Sequence, residues 1–293
     1  MRSPAKVALA LTLTLAVTAT THSARSDPAP YPWEGWLRGD AIVMLGEVHD
    51  NPIQQRLRLE VLKRAFAAGW RPAIAMEQFD REHQADIEQA RREHPEDASY
   101  LIERAAPAHG KPGSGWNWDY YRPYVSLALQ YRVPLLAANL SRRDAEKIVE
   151  HGYAAVLDEA AVHSLGLEHE PASLLAAQKR EIDVGHCHAM PKGQLPAMAR
   201  AQLARDAVMA DVLRERAANG VILLAGDGHV RLDIGVPTWL GPPMAARVFS
   251  VGFVERGGEP TPGSAFDAVV VTDVAQRNDP CEALRHRKRS PRQ

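Results

Sequence analysis

The sequence is poor in cysteine, with two in 293 residues, poor in aromatic residues at 6%, and almost neutral, with a formal net charge of −1. Cys187 and Cys281 alone make neither a disulfide framework nor a cysteine-based zinc site. They stand far apart and outside any CxxC, so their pairing is left open. A balance of 35 Lys and Arg against 36 Asp and Glu leaves no cationic surplus to neutralise phosphates, which argues against nucleic acid as a partner. Beyond the first two dozen residues no apolar run is long enough to span a bilayer, so the mature chain has no integral membrane segment. HExxH, GxSxG, P-loop and GxGxxG motifs are all missing, and with them the mechanisms they serve.

What is present begins with an address. Arg2 and Lys6 precede the apolar run Val7 to Ala19, about a dozen residues, the right length for the core of an export signal and short for a membrane span. Residues 1–24 are therefore expected to be a signal peptide, cleaved after Ala19 or Ala24. No cysteine follows the run, so no lipid anchor is expected and the mature protein is placed in a periplasm-like space as a soluble protein.

The composition, 45% hydrophobic and 24% charged, suits a globular domain, and no repeat or linker divides the chain. Residues 33–275 read as one domain and 276–293 as a basic, flexible tail, with Arg285 to Arg292 solvated. Six continuous apolar runs begin at Ala41, Pro72, Val133, Val221, Arg247 and Ala268, as expected for strands covered on both faces. Helical patterns lie between them. One starts at Pro52 and stops at Gly69, one is capped by Ser141 with Asp144, and a long one runs from Gln194 to Ala218. Strands alternating with helices predict a three-layer α/β/α fold around a mostly parallel sheet, with residues 80–130 and 150–192 as helical insertions over one edge.

In such sheets ligands bind beyond the carboxyl ends of the strands. The first run is followed by Gly46, Glu47, His49 and Asn51, the second by Glu77, the third by Asn139, and the fourth by Gly226 and His229. Singly, each has a bland explanation: a cap, a turn or a solvated side chain. The doubled Gly-x-x-His spacing at Gly46/His49 and Gly226/His229 is harder to dismiss, glycine letting the backbone leave the strand sharply. Glu47, His49 and His229 could hold a divalent ion, or His49 could act as a base oriented by Glu77 without metal, and spacing does not choose. On the long helix Gln202, Arg205, Asp206 and Met209 share a face. That face is either a solvated ion pair or, if covered, a source of partners for the other site residues. His186-Cys187-His188 resembles a metal box without haem-attachment spacing. Trp116 to Tyr121 is either core or the lining of a pocket for a planar ligand.

At these residues the sequence resembles the ChaN-like haem-binding uptake family, within the Tiki/TraB and erythromycin-esterase-like superfamily. The stretches that carry the likeness are Leu45 to Pro52, Ala75 to Phe79, Ala138 to Leu140, His186-Cys187, Ala201 to Asp206 with Met209, and Gly226 to Arg231 running on to Pro237. Where members often carry His, this chain has Gln54 and Gln55. The resemblance implies an α/β/α protein that binds haem in haem and iron acquisition, with haem as cofactor and a homodimer among the arrangements it allows. It also implies ancestry in metal-dependent hydrolysis. Tyr120, Tyr121, His186 and His188 are candidates for the haem iron by chemistry alone. The alternative is a metal-dependent hydrolase of esterase or peptidase type, with His49, Glu77 and His229 catalytic, Glu47 assisting, and Arg205 stabilising developing negative charge.

Overall fold

Each of the six apolar runs forms a strand: β1 Ile42–Leu45, β2 Ala73–Asp80, β3 Leu135–Asn139, β4 Val221–Leu224, β5 Val248–Glu255 and β6 Ala268–Thr272. The computed structural model describes residues 30–106, 115–258, 262–279 and 281–282; the expected signal segment and the Arg285 to Arg292 tail lie outside them. All strand pairs are parallel, in the order β3-β2-β4-β1-β5-β6. The continuous apolar pattern has a direct cause, because neighbouring residues of one strand feed opposite layers. Val43 and Leu45 pack into one core, Ile42 and Met44 into the other.

On one face lie α1 (Pro52–Ala67), α2 (Gln84–Glu93), α3 (Ala98–Ala105) and α4 (Trp118–Gln130), which contribute Val61, Ile87, Leu101 and Tyr124 to a shared core. These helices cover the sheet face, where the sequence suggested insertions over an edge. On the other face lies α8 (Leu195–Arg216), with Met209, Ala210 and Leu213 against the strands. A further group packs on the outside of α8, namely α5 (Arg142–His151), α6 (Glu159–Ser164) and α7 (Ala172–Gly185). Sandwiched between two layers, α8 is apolar on several sides and yields in a short 3₁₀ turn at Ala217–Asn219 before β4. Two four-residue helices, α9 (Asp227–Val230) and α10 (Pro242–Ala245), complete the set.

The edge strand β6 departs from the expectation that every run is covered on both faces. Val269 and Val271 are 52% and 53% exposed while Val270 and Thr272 are buried, because β6 has a neighbour on one side only and helices over one face.

The topology determines what meets at the rim. Since β4 is inserted between β2 and β1, the carboxyl ends of three strands far apart in sequence lie side by side. The amino-terminal half of α8 reaches the same rim, because α8 runs antiparallel to the strand that follows it.

Candidate functional site

The chain leaves β1 through Gly46, and Glu47 turns inward beneath the rim, its side chain wholly buried. It forms an ion pair with Arg58, which is also wholly buried. Gln55 Nε2 donates to Glu47 Oε2 at 2.5 Å and the Tyr121 hydroxyl donates to Oε1 at 2.6 Å. The remaining reach of Oε1 is upward, 2.9 Å from Nδ1 of His49, whose side chain is 46% exposed. Glu47 therefore holds the His49 ring from below, with Nδ1 as the donor and Nε2 as the free nitrogen. The edge of the Trp116 ring stands against that imidazole, centroids 4.8 Å apart.

The second imidazole is held differently. His229, on α9 after β4, is buried between two carboxylates: Nδ1 is 2.5 Å from Asp206 Oδ1 and Nε2 is 3.4 Å from Glu77 Oε1. Burial opposes its charging, yet Glu77 and Asp206 outweigh that and raise its pKa to about 10. For Glu77 burial again opposes charge, but His229, His49 and the Gly226 amide, which donates to Oε2 at 2.7 Å, hold the carboxyl well below its ordinary range. Asp206 goes the other way: burial, with Glu77 nearby, pushes it up to about 6 despite His229. Gln178 Nε2 donates to its second oxygen at 3.1 Å. The Gln202 amide nitrogen lies 3.0 Å from His229 Nε2.

The two imidazoles share one hollow, with Glu77 between them. A Cβ placed on Gly226 would come 2.8 Å from His49 Cε1 and 3.6 Å from Glu77 Oε2. This revises the reason for the glycine. Gly226 has φ −62°, ordinary for any residue, so what it supplies is room for His49. Gly46 is alike: its missing Cβ leaves space for Asp227 and Val230.

Several sequence expectations are corrected here. His49 is oriented by Glu47, whereas Glu77 serves His229 and the Gly226 amide. The divalent-ion triad of Glu47, His49 and His229 finds no support: among the described residues no three His, Cys, Asp or Glu side chains are grouped to hold a metal. The geometry explains why, since Arg58, Gln55 and Tyr121 occupy Glu47 and both His229 nitrogens have partners. Asn51 lies at the carboxyl ends of β5 and β6 and has a structural part there. It is buried as the cap of α1, accepting from the Ile53 and Gln54 amides and donating to Glu255 and the Asp273 carbonyl. Asp206 is wholly buried, so the shared α8 face is not a solvated ion pair, and Arg205 turns instead to Asn139 Oδ1 at 2.9 Å. Glu77 and Asn139 lie within β2 and β3, not after them, where a register shift between Met76 and Asp80 accommodates the longer β2.

Sequence reasoning missed Arg58, Gln55 and Asp227. A signal for the first two existed: Gln54, Gln55 and Arg58 occupy the same helical face as Val61, Leu62 and Ala65, polar residues at core positions. Asp227 accepts from the Phe253 amide at 3.1 Å, and burial raises its carboxyl to about 7.

The aromatic stretch divides. Trp118, Tyr121 and Tyr124 are core, while Trp116 borders the rim. His186 is not in the cluster. It caps the end of α7 and lines a groove of about 530 Å³ between α5 and α8, together with Arg142, Ala145, Val149, Met198 and Arg205. Gln202 lines the same groove and touches His229, so groove and cluster are continuous. Cys187 and Cys281 form a disulfide, which fastens the chain after β6 beside His186. Arg277 adds ion pairs to Asp50 and Glu255, so the first part of the expected flexible tail is tied down.

No helix among the described residues is long and apolar enough to cross a membrane. No curated protein sequence matches the chain. The fold is similar to that of a solved structure, cofacial heme binding to ChaN of Campylobacter jejuni, with TM-score 0.61 and 20% identity over 79% of this chain and 87% of that one. Weaker likenesses are to the erythromycin esterase EreC in its open conformation (TM-score 0.40, 15% identity, 78% and 74% covered) and to the type III effector HopBA1 (0.42, 12%, 80% and 88%). Likenesses that distant carry no argument about chemistry, and the hydrolase alternative is not favoured. A family model, described as haem-binding uptake, Tiki superfamily, ChaN, matches residues 36–240 and so spans the sheet's first four strands and every residue of the two-imidazole cluster. The chain belongs to that family of haem-binding uptake proteins.

Proposed function

We propose that the protein is exported, binds haem and takes part in haem and iron acquisition. Family membership over residues 36–240 is the observation that carries this reading. The likeness to a solved structure of cofacial heme binding supports it. Export is supported independently by the signal-like residues 1–24 and by the Cys187–Cys281 disulfide, a bond that persists in oxidising compartments.

The residues present fit such a ligand. The groove between α5 and α8, about 530 Å³, is within the size range of small-molecule sites; Ala145, Val149, Met198 and Ala201 line it together with Arg205, Glu150 and an Arg142–Glu146 ion pair. The apolar side chains suit a porphyrin face, and the Arg205 guanidinium suits a propionate carboxylate. Haem bound there supplies redox-active iron as cargo. The residues of this chain bind it, orient it and screen it from water. The buried Glu77–His229–Asp206 cluster backs the groove through Gln202 and keeps that wall polar and charged.

The test is to fractionate the native cells and purify the protein from its own compartment. Haem content is then measured by pyridine haemochrome assay, and sedimentation with and without haemin tests the homodimer that belongs to the same proposal. Recovery in the periplasmic fraction with bound haem is expected. A cytoplasmic, haem-free protein that takes up no haemin overturns the reading.

A further inference from the structure

We propose that the cations of residues 283–293 dock the exported protein on an anionic lipid surface, reversibly and by charge, with the end of α7 turned towards the bilayer. The inference goes beyond the haem-binding reading and takes from it only the exported location.

Charge is divided unevenly along the chain. Residues 283–293 hold Arg285, Arg287, Lys288, Arg289 and Arg292, five of the 35 Lys and Arg, and none of the 36 Asp and Glu. The other 282 residues are left with 30 cations against 36 anions, a net charge of −6. An almost neutral total therefore conceals an acidic body with a cationic end. Negative lipid headgroups attract that end and repel the body, so one orientation is favoured. The structure fixes where the cationic end starts. The Ala275 amide donates to Glu255 Oε1 at 2.8 Å, Arg277 pairs with Asp50 and Glu255, and Cys281 is bonded to Cys187 just beyond α7. Arg285 follows the disulfide by four residues, so the cations are held close to the end of α7.

The surface at that point suits a lipid interface. Val184, whose carbonyl accepts from the Cys187 amide at 2.7 Å, is an exposed apolar residue at the last turn of α7. Pro191 and Lys192, a few residues on, are exposed as well, and Ala283 and Leu284 precede the cations. Apolar side chains beside a cluster of cations are what an anionic membrane surface attracts. The anions of the same stretch are few: Asp183 pairs with His188, Glu181 pairs with Arg231, and Asp279, which accepts from the Cys281 amide, and Glu282 stand against five cations. Nucleic acid is the other polyanion such a cluster attracts. Residues 283–293 contain no Phe, Tyr or Trp on which a base could stack, and the acidic body opposes a phosphate backbone laid along it. Each cation near an anionic leaflet strengthens binding roughly fivefold, and with no inserted chain the attachment stays reversible and sensitive to salt.

The experiment uses the secreted, disulfide-intact full chain without haemin. Co-sedimentation with phosphatidylcholine vesicles, with and without phosphatidylglycerol, measures binding. Binding is expected only where phosphatidylglycerol is present, in roughly 0.1 M salt, and is lost at about 1 M, where the Debye length falls to about 3 Å. The triple variant Arg285→Gln, Arg287→Gln, Arg289→Gln should bind roughly a hundredfold more weakly, three factors of about five. The triple variant Arg285→Lys, Arg287→Lys, Arg289→Lys keeps the charge and should keep the binding. Thermal unfolding confirms that both variants fold. Hydrogen exchange of the vesicle-bound protein should slow around Val184 to Lys192 and stay unchanged in α2. Failure of wild type to sediment with anionic vesicles overturns the proposal. So do unchanged binding by the Gln variant, loss of binding by the Lys variant, or equally tight binding of a DNA duplex at the same salt. Exchange slowed in α2 instead overturns the orientation. None of these outcomes touches the haem-binding reading, which haemin titration decides separately.

Discussion

The Glu47–Arg58 pair is the part of the site whose energetics follow most directly from its burial. Both side chains are wholly buried, and Arg58 reaches Leu45 O, Gln55 Oε1, Glu47 and the face of the Tyr124 ring, with Nε lacking a hydrogen-bond partner among the described residues. Removing one partner leaves an uncompensated charge in the interior, a loss of about 3–5 kcal/mol. Arg58→Met leaves the Glu47 carboxylate to Gln55, Tyr121 and His49, so the lower end, about 3 kcal/mol, is expected; for a domain this size that lowers Tm by roughly 6–12 °C. Glu47→Gln strands Arg58 and costs a similar amount. The double variant Glu47→Gln, Arg58→Met removes both charges, and its cost should fall short of the sum by about 2 kcal/mol or more. Urea unfolding of the four proteins, followed by circular dichroism, measures the cycle. Additive losses, or a single Arg58→Met loss below about 1 kcal/mol, would refute the claim that the pair is a buried, mutually dependent support for His49.

Three further outcomes follow from the same groups. His229, with its pKa raised to about 10 by Glu77 and Asp206 against the opposing effect of burial, contributes stability that is full below the ordinary histidine pKa and is lost as pH rises towards 10. Nitrogen-15 NMR of its ring should report imidazolium through pH 8, and Asp206→Asn should move its titration down; a ring neutral at pH 7 in wild type would contradict this. Asp227, pushed up by burial to about 7, costs stability as pH climbs from the ordinary carboxylate range through 7. Asp227→Asn keeps an oxygen for the Phe253 amide and should be more stable than wild type at pH 8 but no more stable at pH 4; equal differences at both would refute it. The Cys187–Cys281 bond closes a loop across a sequence separation of 94 residues, so Cys187→Ser with Cys281→Ser should lower stability by about 2–4 kcal/mol; two titratable thiols in the native protein would show the bond is not formed.

The sheet was legible because β1, β2 and β4 are buried on both faces, and a strand in that position has an unmistakable apolar run. The pairing of His49 with His229 was legible for a topological reason. Residues that follow strands of one parallel sheet share a rim, wherever they fall in the sequence. What escaped was direction. Glu47 follows β1 as His49 does, but faces down into the core, and only the wholly buried arginine opposite it on α1 explains why. Asn51 escaped for a similar reason, since a residue one step before a proline at a helix start can serve either a site or a cap, and here it caps. The face carrying Asp206 read equally well as solvated, because a sequence pattern does not reveal that a second helical layer covers α8.

The claim everything else serves is that this chain binds haem. Titrating ferric haemin into the purified, disulfide-intact protein and following the Soret band tests it most directly. A shifted band that saturates at a defined stoichiometry at micromolar protein is what the account requires; a spectrum no different from haemin in buffer would contradict it.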